Sequence, residues 1–382
     1  MKILVLGYGN IGSVLAADLA ESMPSSTIVI AGRRPDRAEK IAVSIHKENV
    51  SSIQLDANDF HELVRTMKEF DLVVGTLPAN LGYQSVKAAI DAQVDAVDVS
   101  YMPENPLTLH EDALKADVTI VPDCGVAPGL SNLLVGHAIS KLDKVETICL
   151  MVGGIPEEPV PPLGYTVTWS AENLIDEYTR KARIVENRKV VEVDALTGLE
   201  VIEFPGVGRL EGFYTDGLRT LLYTVRDVEN MWEKTLRYPG HVEKIKLLKA
   251  LGFFDEHPME VANVRLPPRK VFAKLLEKKL QRPEIRDILA MKAEVRGTVR
   301  GAKRCYVYHL LDCYDQKRRV TAMARTTAYP ASILAQLIAQ ELIEEKGVIP
   351  LEKLGFKEKI FNKIVAELEK RQIKAVESVH YT

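Results

Sequence analysis

Charge of one sign is what this 382-residue chain has least of: 50 Lys and Arg stand against 53 Asp and Glu, a formal charge of −3. That balance leaves no basic field for nucleic acid. No stretch approaches the ~20 consecutive apolar residues of a membrane span, so the expected partners are small molecules and further copies of the chain. Cysteine is scarce. Cys124, Cys149, Cys305 and Cys313 show no C-x-x-C spacing, which argues against a zinc knuckle and predicts reduced, mostly buried thiols and no metal site. Internal repeats and low-complexity segments are missing. The first core strand begins at Lys2, which leaves no room for a targeting peptide ahead of it, and a cytoplasmic location is expected. What remains is 46% hydrophobic, material for more than one core, and at ~100–200 residues per domain two or three domains are expected.

The strongest positive signal comes first in the chain. Lys2-Ile3-Leu4-Val5-Leu6 reads as a short buried strand, Gly7-Tyr8-Gly9-Asn10-Ile11-Gly12 as a G-x-G-x-x-G turn, and Ile11, Val14, Leu15 and Leu19 as one face of a helix. Strand, glycine turn and helix in that order form the setting in which a dinucleotide pyrophosphate meets a helix N-terminus. The second strand, 27–31, should end on an acid that binds a ribose 2′-hydroxyl. It runs instead into Gly32-Arg33-Arg34, whose guanidiniums suit a 2′-phosphate, so NADP is favoured and NAD remains possible through Asp36.

Strand–helix alternation continues through strands at 52–56, 72–75, 96–99 and 118–122 and helices at 35–47, 60–69, 82–92 and 108–116, which predicts about six parallel strands in a Rossmann sheet. Ligands of such sheets lie outside the carboxyl ends of the strands. Thr76-Leu77-Pro78 follows the fourth strand, Asp98, Ser100 and Tyr101 the fifth, and Asp123-Cys124-Gly125 the sixth. The helix after Pro128-Gly129 is expected to take Ser131 or Asn132 as its cap. Asp98 and Asp123 could hold a cationic amine and take its proton, or could simply bond to their own loops.

Beyond Lys144 the texture changes to alternating strands at 145–152, 165–169, 201–204, 212–215, 234–237, 288–299 and 304–315, with a hairpin of 182–186 and 189–193 around Asn187-Arg188. Helical periodicity returns at 332–341 and 361–370. The expected organisation is a dinucleotide-binding Rossmann domain from 1–124 and 323–382, and an α+β domain with a mainly antiparallel sheet from 125–322, for substrate binding and oligomerisation.

Together Gly7-Tyr8-Gly9-Asn10-Ile11-Gly12, Val97-Asp98-Val99-Ser100, the run from Pro122 through Cys124, Gly125 and Gly129 to Asn132, Val152-Gly153-Gly154-Ile155-Pro156, Leu236-Arg237-Tyr238-Pro239-Gly240-His241 and the segment from Ala322 to Tyr329 resemble the saccharopine dehydrogenase-like family, within it the lysine 6-dehydrogenase type. The similarity covers nearly the whole chain. It implies a homodimer or larger homo-oligomer that oxidises the ε-amine of lysine with a nicotinamide cofactor, giving 2-aminoadipate 6-semialdehyde and ammonia. Arg33-Arg34 departs from the NAD-using members, which commonly end this strand on an acid. For the implied reaction, Arg237 is the first choice to hold the substrate carboxylate and Arg219 the second, because a guanidinium fork matches that group. His241 joins Asp98 and Asp123 as a candidate base, and Tyr101 and Thr327 are candidates for the pocket wall. The nearest alternative is an NADPH-dependent imine reductase of the saccharopine reductase or carboxynorspermidine dehydrogenase type, which the arginine pair suits. An alternative of another class is a non-catalytic NADP-binding redox sensor.

Overall fold

The computed structural model describes residues 1–166, 171–280 and 285–381, and only the backbone of 171–173. It divides into two compact units, Met1–Lys141 with Ala324–Lys374 and Leu142–Met323 with Ala375–Thr382.

The first unit opens with β1 (Lys2–Leu6), α1 (Asn10–Ser22), β2 (Thr27–Gly32), α2 (Pro35–Ser44), β3 (Val50–Gln54), α3 (Phe60–Met67), β4 (Leu72–Gly75), α4 (Ala79–Ala92), β5 (Asp95–Asp98), a 3₁₀ turn (Pro106–Leu109), α5 (His110–Lys115), β6 (Thr119–Val121) and α6 (Leu130–Ile139). All strand pairs here are parallel. The continuous apolar run of β4, buried at every position, is what a sheet covered on both faces demands. Local chemistry moves several ends from their expected places. β3 stops two residues early because the Asp56 carboxylate accepts both the N–H and the side-chain amide of Asn58, turning the chain out of the ladder. The expected helix at 108–116 is preceded by the 3₁₀ turn, since Asn105 caps it by accepting the Leu107 N–H at 3.1 Å. α6 starts at Leu130 with Gly129 as its cap residue, while Asn132 and Ser131 lie inside the helix.

The second unit carries β7 (Lys144–Pro156), α7 (Ala171–Thr179), β8 (Ala182–Glu186), β9 (Lys189–Val193), β10 (Glu200–Phe204), β11 (Gly208–Tyr214), α8 (Leu221–Thr224), β12 (Asn230–Arg237), α9 (His241–Ala250), β13 (Met259–Val261), β14 (Val264–Leu266), α10 (Pro268–Leu280), β15 (Asp287–Val299) and β16 (Ala302–Cys313). Its sheet is mixed, because β12 runs parallel to β7 while the other pairs are antiparallel. The expected hairpin is present, and Asn187 and Arg188 at φ 49° and 64° supply the left-handed pair that a two-residue turn requires. Helices α7, α9 and α10 contribute Leu174, Ile175, Tyr178, Val242, Ile245, Phe272 and Leu276 to one buried cluster. The strand expected at 165–169 is irregular at Tyr165 and Thr166, and Val167, Thr168 and Trp169 lie outside the described residues.

The chain then returns through α11 (Ala322–Ala339), β17 (Gly347–Val348), α12 (Leu351–Gly355) and α13 (Glu358–Lys370), and closes with β18 (Ala375–Tyr381). The seven-stranded sheet has the order β17-β6-β5-β4-β1-β2-β3, a Rossmann sheet with one added strand. α11 begins ten residues before the expected Ser332 and contains Pro330. Its start is set by Asp287, whose two oxygens accept the N–H groups of Ala322 and Met323 at 2.6 and 2.9 Å. Two boundaries also move. α6 belongs with the first unit, packing on α12 so tightly that a Cβ on Gly136 would fall 2.1 Å from the Glu352 carbonyl. The last strand belongs with the second, where β18 pairs antiparallel with β16.

Candidate functional site: a dinucleotide edge and a buried ionic cluster

At the carboxyl end of β1, Gly7 sits at φ 107° with its N–H on the Ala31 carbonyl at 2.9 Å. A Cβ there would lie 2.6 Å from Thr76 Oγ1, and one on Gly12 would lie 2.2 Å from the Gly7 carbonyl. These two glycines are demanded by the protein itself. Gly9 is different: nothing lies within 4 Å of the place its Cβ would take. It is the N-cap residue of α1, so the open space where its side chain would stand lies beside the helix N-terminus, where a pyrophosphate is expected.

Gly32 is held by a neighbour. The Tyr8 ring lies where its Cβ would be, 2.0 Å from Cε1, and the Tyr8 hydroxyl accepts the Arg34 N–H at 3.3 Å. The Arg33 and Arg34 side chains are exposed, as a clamp for a 2′-phosphate must be. The residues present therefore fit a phosphorylated dinucleotide.

Along the same edge, Thr76 donates its hydroxyl to the Leu6 carbonyl at 2.7 Å, tying β4 to β1 ahead of Leu77 and Pro78. Asp98 is 1% exposed; its Oδ1 accepts the Ser100 N–H at 2.8 Å and its Oδ2 lies 3.2 Å from the Ser100 hydroxyl. Gly75 makes room for that carboxylate, since a Cβ there would fall 2.0 Å from Oδ2. Asp123 follows β6 in left-handed backbone at φ 53°. Beside it Cys124 is fully buried, and burial, reinforced by the Asp98 and Asp123 charges, pushes its thiol well above the ordinary value. Gly125 faces Thr327, whose Cγ2 would be 3.4 Å from a Cβ at that glycine. Tyr101 is half-buried just after β5. The first unit thus gathers Asp98, Ser100, Asp123, Gly125 and Thr327 around the ends of β5 and β6.

The second unit holds a separate cluster on one face of β12. Side chains alternate along a strand, so Glu233, Thr235 and Arg237 share a face. Arg237 donates through Nη2 to Glu177 at 2.8 Å and through Nη1 to the Leu236 carbonyl at 2.9 Å, and its guanidinium lies 4.5 Å above the Tyr165 ring. Burial alone would lower its pKa, but the Glu177 charge overrides this and raises it. His241 is 1% exposed at the start of α9. Its Nδ1 lies 3.0 Å from the Leu163 carbonyl, which can only accept, so the ring proton is on Nδ1 and Nε2 accepts the Tyr178 hydroxyl at 2.8 Å. Burial, and then the Arg237 charge, lower its pKa to about 3. Glu211 stabilises the same helix start, accepting the Gly240 and Val242 N–H groups at 2.9 and 2.7 Å. Arg219 is 3% exposed in left-handed backbone at φ 52°.

Glu177, Tyr178 and Glu233 were not expected from the sequence. Glu233 had a legible signal, an acid at an inward position of a strand; Glu177 and Tyr178 lie on a helix that the alternating texture around it concealed. Among the described residues no group of His, Cys, Asp and Glu is arranged to hold a metal, and no helix is long and apolar enough to cross a membrane.

Comparison with known proteins bears on both units. Residues 3–121 match the saccharopine dehydrogenase NADP binding domain and residues 125–373 the saccharopine dehydrogenase C-terminal domain. The chain is 28% identical over 292 residues to the saccharopine dehydrogenase [NADP(+), L-glutamate-forming] of Schizosaccharomyces pombe, covering 72% of this chain and 64% of that protein. It is 22% identical to the carboxyaminopropylagmatine dehydrogenase of a Synechocystis species, with 92% of each chain covered. The fungal saccharopine dehydrogenases are longer, and this chain spans 60–64% of their length. Apo saccharopine dehydrogenase (L-Glu forming) from Saccharomyces cerevisiae has the same fold, with a TM-score of 0.82 at 20% identity and 99% of both chains covered. The NADP binding domain model agrees with the cofactor expected from Arg33 and Arg34, and with two domain models spanning its length the chain belongs to the saccharopine dehydrogenase family.

Proposed function

We propose that this protein is an NADP-dependent amine dehydrogenase that oxidises the ε-amine of L-lysine, working as a homodimer or larger homo-oligomer. When bound, NADP supplies the hydride acceptor. Gly7, Gly9 and Gly12 with the α1 N-terminus hold the pyrophosphate, Arg33 and Arg34 the 2′-phosphate, and the Thr76-Leu77-Pro78 backbone with Ser100 and Gly125 the path to the nicotinamide. Asp123 takes the proton of the substrate ammonium, because the amine nitrogen must be neutral before hydride leaves its carbon. Asp98 holds the Ser100 loop in place, and Tyr101 and Thr327 form the wall. The imine then takes up water and releases ammonia, leaving 2-aminoadipate 6-semialdehyde.

The observation that carries lysine over a larger, multiply carboxylated substrate is the state of the buried cations. Arg237 pairs with Glu177 and Arg183 with Asp216, so these two guanidiniums are already engaged by carboxylates inside the protein, which disfavours a substrate with several carboxylates. His241 is better suited to fixing α9 than to proton transfer, since its lone pair already accepts the Tyr178 proton. A second reading, reduction of an imine that joins an amino acid to a carbonyl compound, is supported by the saccharopine dehydrogenases among the relatives. A panel of lysine, ornithine, saccharopine and diamines, each with NADP and NAD, separates the two by nicotinamide absorbance. Lysine with NADP is expected to reduce the cofactor; turnover of saccharopine alone would establish the second reading, and tight NADP binding without any turnover would leave a redox sensor.

A further inference from the structure

Every residue from Asp255 to Leu266 in the second unit is exposed, although the segment is well formed. β13 and β14 pair Met259 with Leu266 and Val261 with Val264, which puts these four side chains on one face and Glu260 with Arg265 on the other. Ala262 and Asn263, at φ 50° and 64°, form the two-residue turn. At the root, Arg269 donates its backbone N–H to the Asp255 carbonyl at 3.1 Å and a guanidinium N–H to Glu256 at 2.8 Å, so the arm is anchored where it leaves α10. A two-stranded hairpin by itself is marginally stable in water, and among the described residues these strands pair only with each other. The four apolar side chains on its one face nevertheless stand 46–60% exposed.

The same unit carries a surface that matches the arm. Leu247 and Leu251 on α9 and its end, and Val271 and Leu275 on α10, form two pairs spaced four residues apart, 44–66% exposed, while Phe272 and Leu276 turn the other side of α10 into the buried cluster. Charge is complementary as well. The arm carries Asp255, Glu256 and Glu260 against Arg265, whereas α9 and α10 together carry eight Lys and Arg against two acids. Both patches are exposed in one chain, so the arm does not fold back on its own helices.

We propose that the arm docks on the α9–α10 surface of a second copy of this chain, whose own arm docks in return, as a twofold contact requires. The assignment rests on the homo-oligomer reading above and names the surface that serves it. At about half exposure, eight such side chains present on the order of 600 Å² of apolar surface per copy, the upper end of what monomers leave open and near the ~800 Å² that each partner gives to a stable interface. An arm with three acids and one arginine is repelled by an anionic lipid surface and attracted by the basic helices.

Sedimentation equilibrium of the full chain at micromolar concentration tests this with Val261→Asp, which charges the arm, and Leu251→Lys, which charges the receiving surface at a helix C-terminus where a cation is tolerated. Both side chains are more than half exposed, so the far-UV circular dichroism of each variant should match the wild type. The wild type should sediment as two chains or a multiple of two. Each variant alone should dissociate with a Kd raised at least about a hundredfold, because a twofold contact counts every substitution twice. Mixing the two variants should restore the pair, since one arm-to-helix contact is then unaltered and the other sets Asp against Lys. Variants that assemble like the wild type, or monomeric variants whose mixture stays monomeric, overturn the assignment and leave the homo-oligomer reading intact. A wild type that sediments as one chain overturns both, and its co-sedimentation with phosphatidylserine vesicles would give the apolar arm to a lipid surface instead.

Discussion

Arg237 shows how a residue type suited to a substrate carboxylate can have a partner inside the protein. A guanidinium beside a rigid Tyr-Pro-Gly turn suits a substrate carboxylate, yet the structure gives it an internal one, Glu177. Removing half of a buried ion pair strands the other half, so Arg237→Ala should cost about 3–5 kcal/mol in chemical denaturation. The double change Arg237→Met with Glu177→Leu should recover most of that loss, because the pair itself returns little beyond its own desolvation. A raised KM with unchanged stability would instead return Arg237 to the substrate. His241 teaches the same lesson: burial, and then the Arg237 charge, take its titration well below neutrality, and both ring nitrogens are engaged inside the protein.

At the level of elements, the β1–turn–α1 unit separates glycines needed by the fold from one, Gly9, where a side chain would meet nothing. Gly12→Ala sets a methyl 2.2 Å from a backbone carbonyl that cannot swing away, and should lower both stability and NADP affinity. Gly9→Ala meets nothing, so its melting temperature should stay within about 1–2 °C of wild type, a change of under ~0.5 kcal/mol, while NADP binding weakens at least about tenfold. Equal NADP affinity in Gly9→Ala would place the pyrophosphate elsewhere. The Rossmann strands, the Asn187-Arg188 hairpin and the long β15–β16 pair were legible because period and turn chemistry agree there. β17 was not: two residues carry no periodicity, and they pair only because Thr119 and Ile120 offer an open edge. α7 and α10 bear apolar residues at helical spacing, Leu174, Ile175 and Tyr178 in one and Phe272, Ala273, Leu276 and Leu280 in the other, but both stand among strands and were passed over. The dinucleotide edge was legible because each residue follows a strand; the Glu177–Arg237–Glu233 cluster was not, since it depends on which strand face a helix covers.

Across the whole molecule, the chain passes between its two units three times, at 141/142, 323/324 and 374/375. The sequence suggested two passages, because a final strand after a run of helices looks like part of the unit those helices belong to. Truncation after Lys374 tests the third. It removes an edge strand that pairs with β16 at seven positions, from Arg304 with Tyr381 to Leu310 with Ala375. The shortened protein should melt about 5–10 °C lower, a loss of roughly 2–3 kcal/mol for a unit of this size, with NADP affinity unchanged because the glycine turn lies in the other unit. An unchanged melting curve would show that β18 adds nothing to the second sheet.

That interlacing also bears on inheritance. A gene segment encoding either unit cannot be cut out as one contiguous block, because each is assembled from two separated stretches, and exchanging one between relatives would need three simultaneous joints. Point substitution and loop replacement need no such joints and leave both units in place.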